Sequence, residues 1–107
     1  MIVTKFFYSK NGLCRGFSVR GHAGSAKYGY DLVCCAVSSV VQMCCNGLTE
    51  VIHCSVELNC SDGFVEVWIN DKIKVADVQI LLKTLEFELN LLSQQHKKSL
   101  KFLKLEV

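Results

Sequence analysis

The stretch that decides the fold is residues 13–47, which read LCRGFSVRGHAGSAKYGYDLVCCAVSSVVQMCCNG. Residues 13–20 alternate along the chain in the way that is typical of a β-strand. A glycine-rich loop follows, and from residue 32 the apolar residues recur with helical spacing up to Asn46-Gly47, a pair that often ends helices. The stretch therefore predicts a strand, a loop and a helix in that order.

The segments on either side complete one small domain. Runs of β-branched and aromatic residues separated by turn signals predict further strands, and a second helical pattern begins at Asp77. At 107 residues the chain fits a single domain, residues 1–107, of α/β (α+β) class. The order ββαββαβ predicts a mixed sheet packed with two helices. The elements predicted outside residues 13–47 are strands at 2–8, 54–60, 64–69 and 100–107 and a helix at 77–96.

The start of the first predicted helix points to nucleophilic chemistry. Asp31 precedes the helical pattern and is predicted to be the N-cap, which places Cys34 in the first turn. Free backbone N–H groups and the helix dipole favour an anion there, so a thiol in this setting ionises more readily than its ordinary pKa of about 8.5 allows. The N–H groups of Cys34 and Cys35 are also candidates for an oxyanion hole. His22 can supply the imidazole that a cysteine hydrolase needs.

Helical spacing favours Cys34 over its neighbour Cys35 as the nucleophile. At 100° per residue, Cys34 lies at the border between the apolar and polar sides, where a sulfur stays accessible while one flank packs. Cys35 points among polar side chains. The other five cysteines are interpreted as small buried apolar residues. The apolar side of the helix contains Val33, Val37, Val40, Val41 and Cys44.

Residues 21–38, together with the chain length and element order, resemble the bacterial ribosomal-processing cysteine protease family, Prp. The match lies in Gly-His-Ala-Gly at 21–24, Gly29, Asp31-Leu32-Val33-Cys34 and Ala36-Val37-Ser38. It extends over essentially the whole chain. Cys35 is a departure, since the family pattern has a small residue there, often Ala.

The resemblance implies an endopeptidase in which His22 and Cys34 form the catalytic pair. Asp31 can orient His22 as a third member. The implied reaction removes a short N-terminal extension from a bacterial large-subunit ribosomal protein, the twenty-seventh by conventional name, without a cofactor. The loop is implied to close over the substrate as a glycine-hinged lid. The residues predicted to form this substrate loop are Gly21, Gly24, Tyr28, Gly29 and Tyr30.

The second predicted helix bears on assembly, because it has two apolar stripes on opposite sides. One core cannot easily cover both, so we expect the second stripe to contact the other helix or a second subunit. A homodimer agrees with the family resemblance, and a helix enclosed within one subunit is the alternative. The first stripe contains Val78, Leu81, Leu82, Leu85, Leu89 and Leu92, and the second contains Ile80, Phe87 and Leu91.

Composition narrows the setting in which the protein acts. The net charge is only +2, so we predict no direct nucleic-acid binding. The sequence pattern predicts no apolar run of the roughly 18 residues that span a bilayer, and we expect a cytoplasmic protein without a membrane partner. Seven cysteines, an odd number with two vicinal pairs, do not resemble a disulfide framework, and without a Cys-x-x-Cys motif we predict no metal site.

Two other functions remain open from the sequence. One is a non-catalytic, ribosome-associated module that binds a peptide through the loop. The other is a redox protein that uses vicinal Cys34 and Cys35. Adjacent cysteines of a helix point about 100° apart and cannot form a disulfide without local unwinding.

Overall fold

The computed structural model describes residues 1–21, 28–70, 72 and 75–107, with the backbone alone described for residues 28–31. Within them the predicted order ββαββαβ is confirmed. The strands are β1 (Ile2–Tyr8), β2 (Cys14–Arg20), β3 (Val56–Ser61), β4 (Phe64–Ile69) and β5 (Leu100–Glu106), and the helices are α1 (Tyr28–Asn46), followed by a π-helical turn (Gly47–Val51), and α2 (Val75–Gln95).

The five strands form one mixed sheet in the order β3-β4-β2-β1-β5. Strand β1 pairs in parallel with β5, whereas the β1/β2, β2/β4 and β3/β4 pairs are antiparallel. The two edges of the sheet are therefore β3 and β5. The α+β class predicted from the sequence is confirmed.

The core forms between one face of the sheet and the two helices. Phe6 and Phe17 are register partners on β1 and β2, and their rings stack with centroids 5.5 Å apart. The first stripe of α2 is buried as predicted, with Leu82 and Leu89 fully enclosed. The described residues do not cover the second stripe: Ile80 and Phe87 are 68% and 67% exposed.

The α-helix ends at Asn46, as the pair Asn46-Gly47 predicted, but the chain keeps a helical course beyond it. It continues into the π-helical turn, and His53 with φ 59° follows that turn. Gly47 has no left-handed φ. A Cβ at this position would lie 2.8 Å from Cδ2 of Leu81, so the glycine permits the close approach of α2. Gly47 therefore serves packing rather than a left-handed helix cap.

Residues 32–51 are long and apolar enough to cross a membrane by length and composition alone, which corrects the sequence-based expectation. The apolar character has an explanation in the core. Val33, Val37, Val41, Cys44 and Leu48 are all buried in the cluster that joins α1 to the sheet.

Candidate active site

Cys34 lies at the border of the buried side of α1. Its predecessor Val33 is buried, Cys34 is partly buried and packs against the core, and Cys35 is exposed. This sequence of burial matches the faces that helical spacing predicted. A sulfur at this border can be reached from solvent while its carbon atoms are held by packing.

The start of α1 requires a correction. The helix begins at Tyr28, so Asp31 lies within the first turn and is not the N-cap. A carboxylate in the first turn also complements the helix dipole, and the glycine at position 29 costs a helix only about 1 kcal/mol, so the sequence permits this earlier start. Cys34 therefore lies beyond the first turn, where the influence of the dipole is weaker.

The earlier start also moves the free N–H groups of the helix. In an α-helix that begins at Tyr28, the unpaired N–H groups within the helix belong to residues 28–30, and those of Cys34 and Cys35 donate to carbonyls four residues earlier. Their prediction as oxyanion-hole donors is therefore wrong. Helical geometry through both residues also keeps their side chains apart, which argues against a vicinal disulfide.

A cavity of about 340 Å³ lies beside Cys34, between α1 and the β3–β4 hairpin. We call it the groove. Valines of α1, β2 and β4 form its apolar floor, and polar side chains and Leu58, which is 50% exposed, stand along its sides. Its size and apolar lining suit an extended peptide segment. The groove is lined by Val19, Gly21, Cys34, Val37, Ser38, Val41, Gln42, Cys45, Leu58, Cys60, Ser61, Asp62, Gly63, Phe64 and Val65.

Gly21 fixes the end of β2 at the groove. Its N–H donates to the carbonyl oxygen of Gly63 at 2.8 Å, which joins β2 to the tip of the β3–β4 hairpin. Its φ is 94°, and a Cβ there would lie 2.4 Å from the carbonyl oxygen of Met1. Only glycine fits this position, so the chain leaves β2 for His22 from a fixed point beside Cys34.

The structure describes only some of the remaining predicted site residues. His22 and Gly24 lie outside the described residues. Tyr28, Gly29 and Tyr30 were predicted in the substrate loop, but the backbone places them in the first turn of α1. The prediction treated a Tyr-Gly-Tyr segment as loop because of its glycine, although helical hydrogen bonding outweighs the modest propensity cost.

The other thiols divide by environment. Cys14 and Cys44 are buried, and desolvation raises the pKa of Cys14 to about 11 and that of Cys44 to about 12. Burial, with a contribution from nearby Cys60, also raises the pKa of Cys45. Cys60 is exposed on edge strand β3, which contradicts its interpretation as a buried residue.

Sequence reasoning missed that Cys45 and Cys60 line the same groove as Cys34. For Cys60 a signal was present, because Leu58 and Cys60 are two residues apart on one strand and share a face. The approach of that face to α1 is a long-range contact that has no local signal. Among the described residues, no group of three or more His, Cys, Asp or Glu side chains could hold a metal ion.

The chain resembles known proteins in sequence and in structure. A family model described as "Cysteine protease Prp" matches residues 1–101. SMU.848 from Streptococcus mutans has a similar structure, with a TM-score of 0.87 and 27% identity over 100% of this chain and 96% of that chain. No curated protein sequence gives a significant match.

Two structures of a ribosomal processing protease Prp from S. aureus also have this fold. The complex with a substrate peptide has a TM-score of 0.88 and 19% identity, and the form with a covalently linked product peptide has 0.85 and 20%. Each match covers 97% of this chain and 99% of the other.

Proposed function

Because this cysteine protease belongs to the Prp family, whose model matches residues 1–101, we propose that it removes the N-terminal extension of a bacterial large-subunit ribosomal protein, the twenty-seventh. The observation that carries the proposal is the position of Cys34, an accessible thiol beside an apolar groove. The S. aureus relative, described as a ribosomal processing protease in complex with a substrate peptide, supports the substrate class.

The proposed mechanism is nucleophilic catalysis by Cys34 and His22. His22 takes the thiol proton of Cys34, the sulfur attacks the scissile carbonyl carbon, and the C–N bond breaks as His22 gives that proton to the leaving amine. Water then attacks the thioester carbon while His22 accepts its proton, and the C–S bond breaks as the proton returns to the sulfur. The buried, high-pKa Cys14 and Cys44 are unsuited to the first step, because their thiolates are scarce at neutral pH.

The oxyanion that forms on the substrate needs hydrogen-bond donors near Cys34. The N–H of Cys34 is committed to the helix. We therefore propose that the donors come from other groups that line the groove or from the unpaired N–H groups at the start of α1.

The test is incubation of the purified protein with the full-length precursor, read by intact mass. Wild type should release one N-terminal fragment. Cys34→Ser should bind the precursor and release none, whereas the matched variant Cys35→Ser should lose less than tenfold in rate. Cleavage that survives in Cys34→Ser, or disappears in Cys35→Ser alone, contradicts the assignment of the nucleophile. Binding without cleavage by wild type would favour the non-catalytic peptide-binding module.

We also propose that the protein is a homodimer that acts in the cytoplasm. Support for the dimer comes from Ile80 and Phe87 of α2, whose apolar side chains are exposed. Ile80 lies beside Met43 and Val51, which are also exposed, so the three form an apolar patch. Seven cysteines, with no disulfide among the described residues, suit a reducing compartment. Light scattering should give a mass of two chains for wild type and of one chain for Ile80→Glu. A monomeric wild type rules out the dimer.

A further inference from the structure

We propose that Asp62 selects substrates that carry a lysine or arginine side chain close to the scissile bond. The inference rests on the proposed function, because it concerns the peptide in the groove beside Cys34. It identifies a specificity-determining residue at the tip of the β3–β4 hairpin.

The charge of the groove is the first argument. Among the described residues that line it, Asp62 is the single charged one, and the rest are apolar or neutral. A cation entering an otherwise neutral groove would be attracted to one place.

The carboxylate of Asp62 is available to a ligand. The residue is exposed, and the one ion pair among the described residues joins Glu86 to Lys104, with 3.6 Å between Oε2 and Nζ. Arg20 on β2 does not line the groove. Its guanidinium carbon lies 4.4 Å from the centroid of the Phe64 ring, so the cation is engaged by that ring.

The hairpin tip is held in place, which a selectivity residue requires. Ser61 and Phe64 are register partners, so Asp62 and Gly63 form the turn, and Gly63 has φ 70°. The hydrogen bond from Gly21 to Gly63 joins this turn to the end of β2. The backbone that carries Asp62 is thereby held beside the groove that Cys34 also lines.

The proposed substrate class contains the matching charge. Proteins that bind RNA do so largely through lysine and arginine, and ribosomal proteins must bind RNA. An acidic residue in a protease groove therefore favours such a chain over a neutral one. Asp-Gly is also a common turn pair, so the test replaces Asp62 with asparagine, which forms the same turn without the charge.

The experiment is a charge scan of the peptide. Peptides covering the cleavage region carry Lys, Gln or Glu in turn at three positions on either side of the scissile bond, and kcat/KM is measured for each. At one position, Lys should exceed Gln by about threefold to fivefold, as for an exposed ion pair. This ratio should fall to about one in Asp62→Asn and invert in Asp62→Lys. Higher salt should weaken it.

Glu57→Gln is the matched control, since it removes an exposed negative charge of β3 from outside the groove. Its Lys-to-Gln ratio should equal that of wild type. If peptides are cleaved but Asp62→Asn leaves every ratio unchanged, the inference fails and the proposed protease function stands.

A binding measurement keeps the two failures distinct. Fluorescence anisotropy of the labelled peptides with Cys34→Ser, and with Cys34→Ser/Asp62→Asn, reports the charge preference without cleavage. Absence of cleavage by wild type contradicts the proposed function. The inference is overturned if the two proteins show the same preference for peptide charge, or if no peptide binds.

Discussion

Cys34 and Cys44 are the same residue type on the same helix, yet the two regions of α1 that hold them have different properties. On its groove side, α1 leaves Cys34 partly exposed. On its core side, α1 packs in the cluster that also contains residues of the sheet and of α2, and Cys44 is 1% exposed, with its pKa raised to about 12 by burial. The comparison teaches that tertiary surroundings, rather than residue type or helix, decide which thiol can react.

The physical difference lies in what each region faces. The groove side of α1 faces edge strand β3, where Leu58 and Cys60 are exposed. The core side belongs to the cluster that contains Phe17, Leu48 and Leu82. Open space on one side and close packing on the other produce a reactive position and an inert one from the same helix.

The largest expected effect is on alkylation rates. At pH 8, a thiol with a pKa of about 12 has roughly one thiolate in 10⁴ molecules, and burial also excludes the reagent. Iodoacetamide should therefore modify Cys34 at least about 100-fold faster than Cys44 in the native protein. Peptide mass mapping over time measures both rates. Equal rates in the native state, with the protein still folded by circular dichroism, would contradict the comparison.

A substitution at Gly47, where the chain after α1 lies against α2, should destabilise the fold. Gly47→Val places side-chain atoms against Leu81, where a Cβ alone would already lie 2.8 Å from Cδ2. We expect a loss of about 1–3 kcal/mol in the free energy of unfolding, measured with urea. Adding Leu81→Ala should make Gly47→Val less costly, because it opens the space. Simple additivity of the two changes would show that the contact is unimportant.

The groove side of α1 should respond to His22 instead. An imidazole that accepts the thiol proton activates the sulfur, so His22→Ala should slow alkylation of Cys34 at pH 7 by about tenfold. The measurement is made with a non-cleavable substrate peptide bound. An equal alkylation rate in wild type and His22→Ala would show that His22 is not the base.

A further effect is expected on stability at high pH. Burial raises the folded pKa of Cys44 from 9.0 to about 12, so the proton is held more tightly in the folded state. The resulting stability is fully present below pH 9 and is lost as the pH rises toward 12, by up to about 1.4 kcal/mol per pH unit. Urea titrations between pH 8 and 10.5 should show a smaller decline for Cys44→Ala than for wild type. The matched variant Cys35→Ala should decline like wild type.

Much of the fold was predictable because its signals are local. Alternation and β-branched runs identified every strand, and β1 and β4 have the predicted bounds. The spacing of Val33, Val37, Val41 and Cys44 predicted the buried side of α1, and hence the border position of Cys34. These properties depend on the 2.0 and 3.6 residue periods of strands and helices, which the sequence displays directly.

The sequence by itself therefore determined the order of the elements and the side of α1 on which Cys34 lies. Only the tertiary structure decided where α1 begins and how the chain continues past its end, since Gly29 lies within the helix and Gly47 lies against Leu81 of α2. It also brought Asp62 and Cys60 of the β3–β4 hairpin to the same groove as Cys34. Strand register and the approach of α1 to the sheet bring these distant residues together, and such contacts have no counterpart in local periodicity.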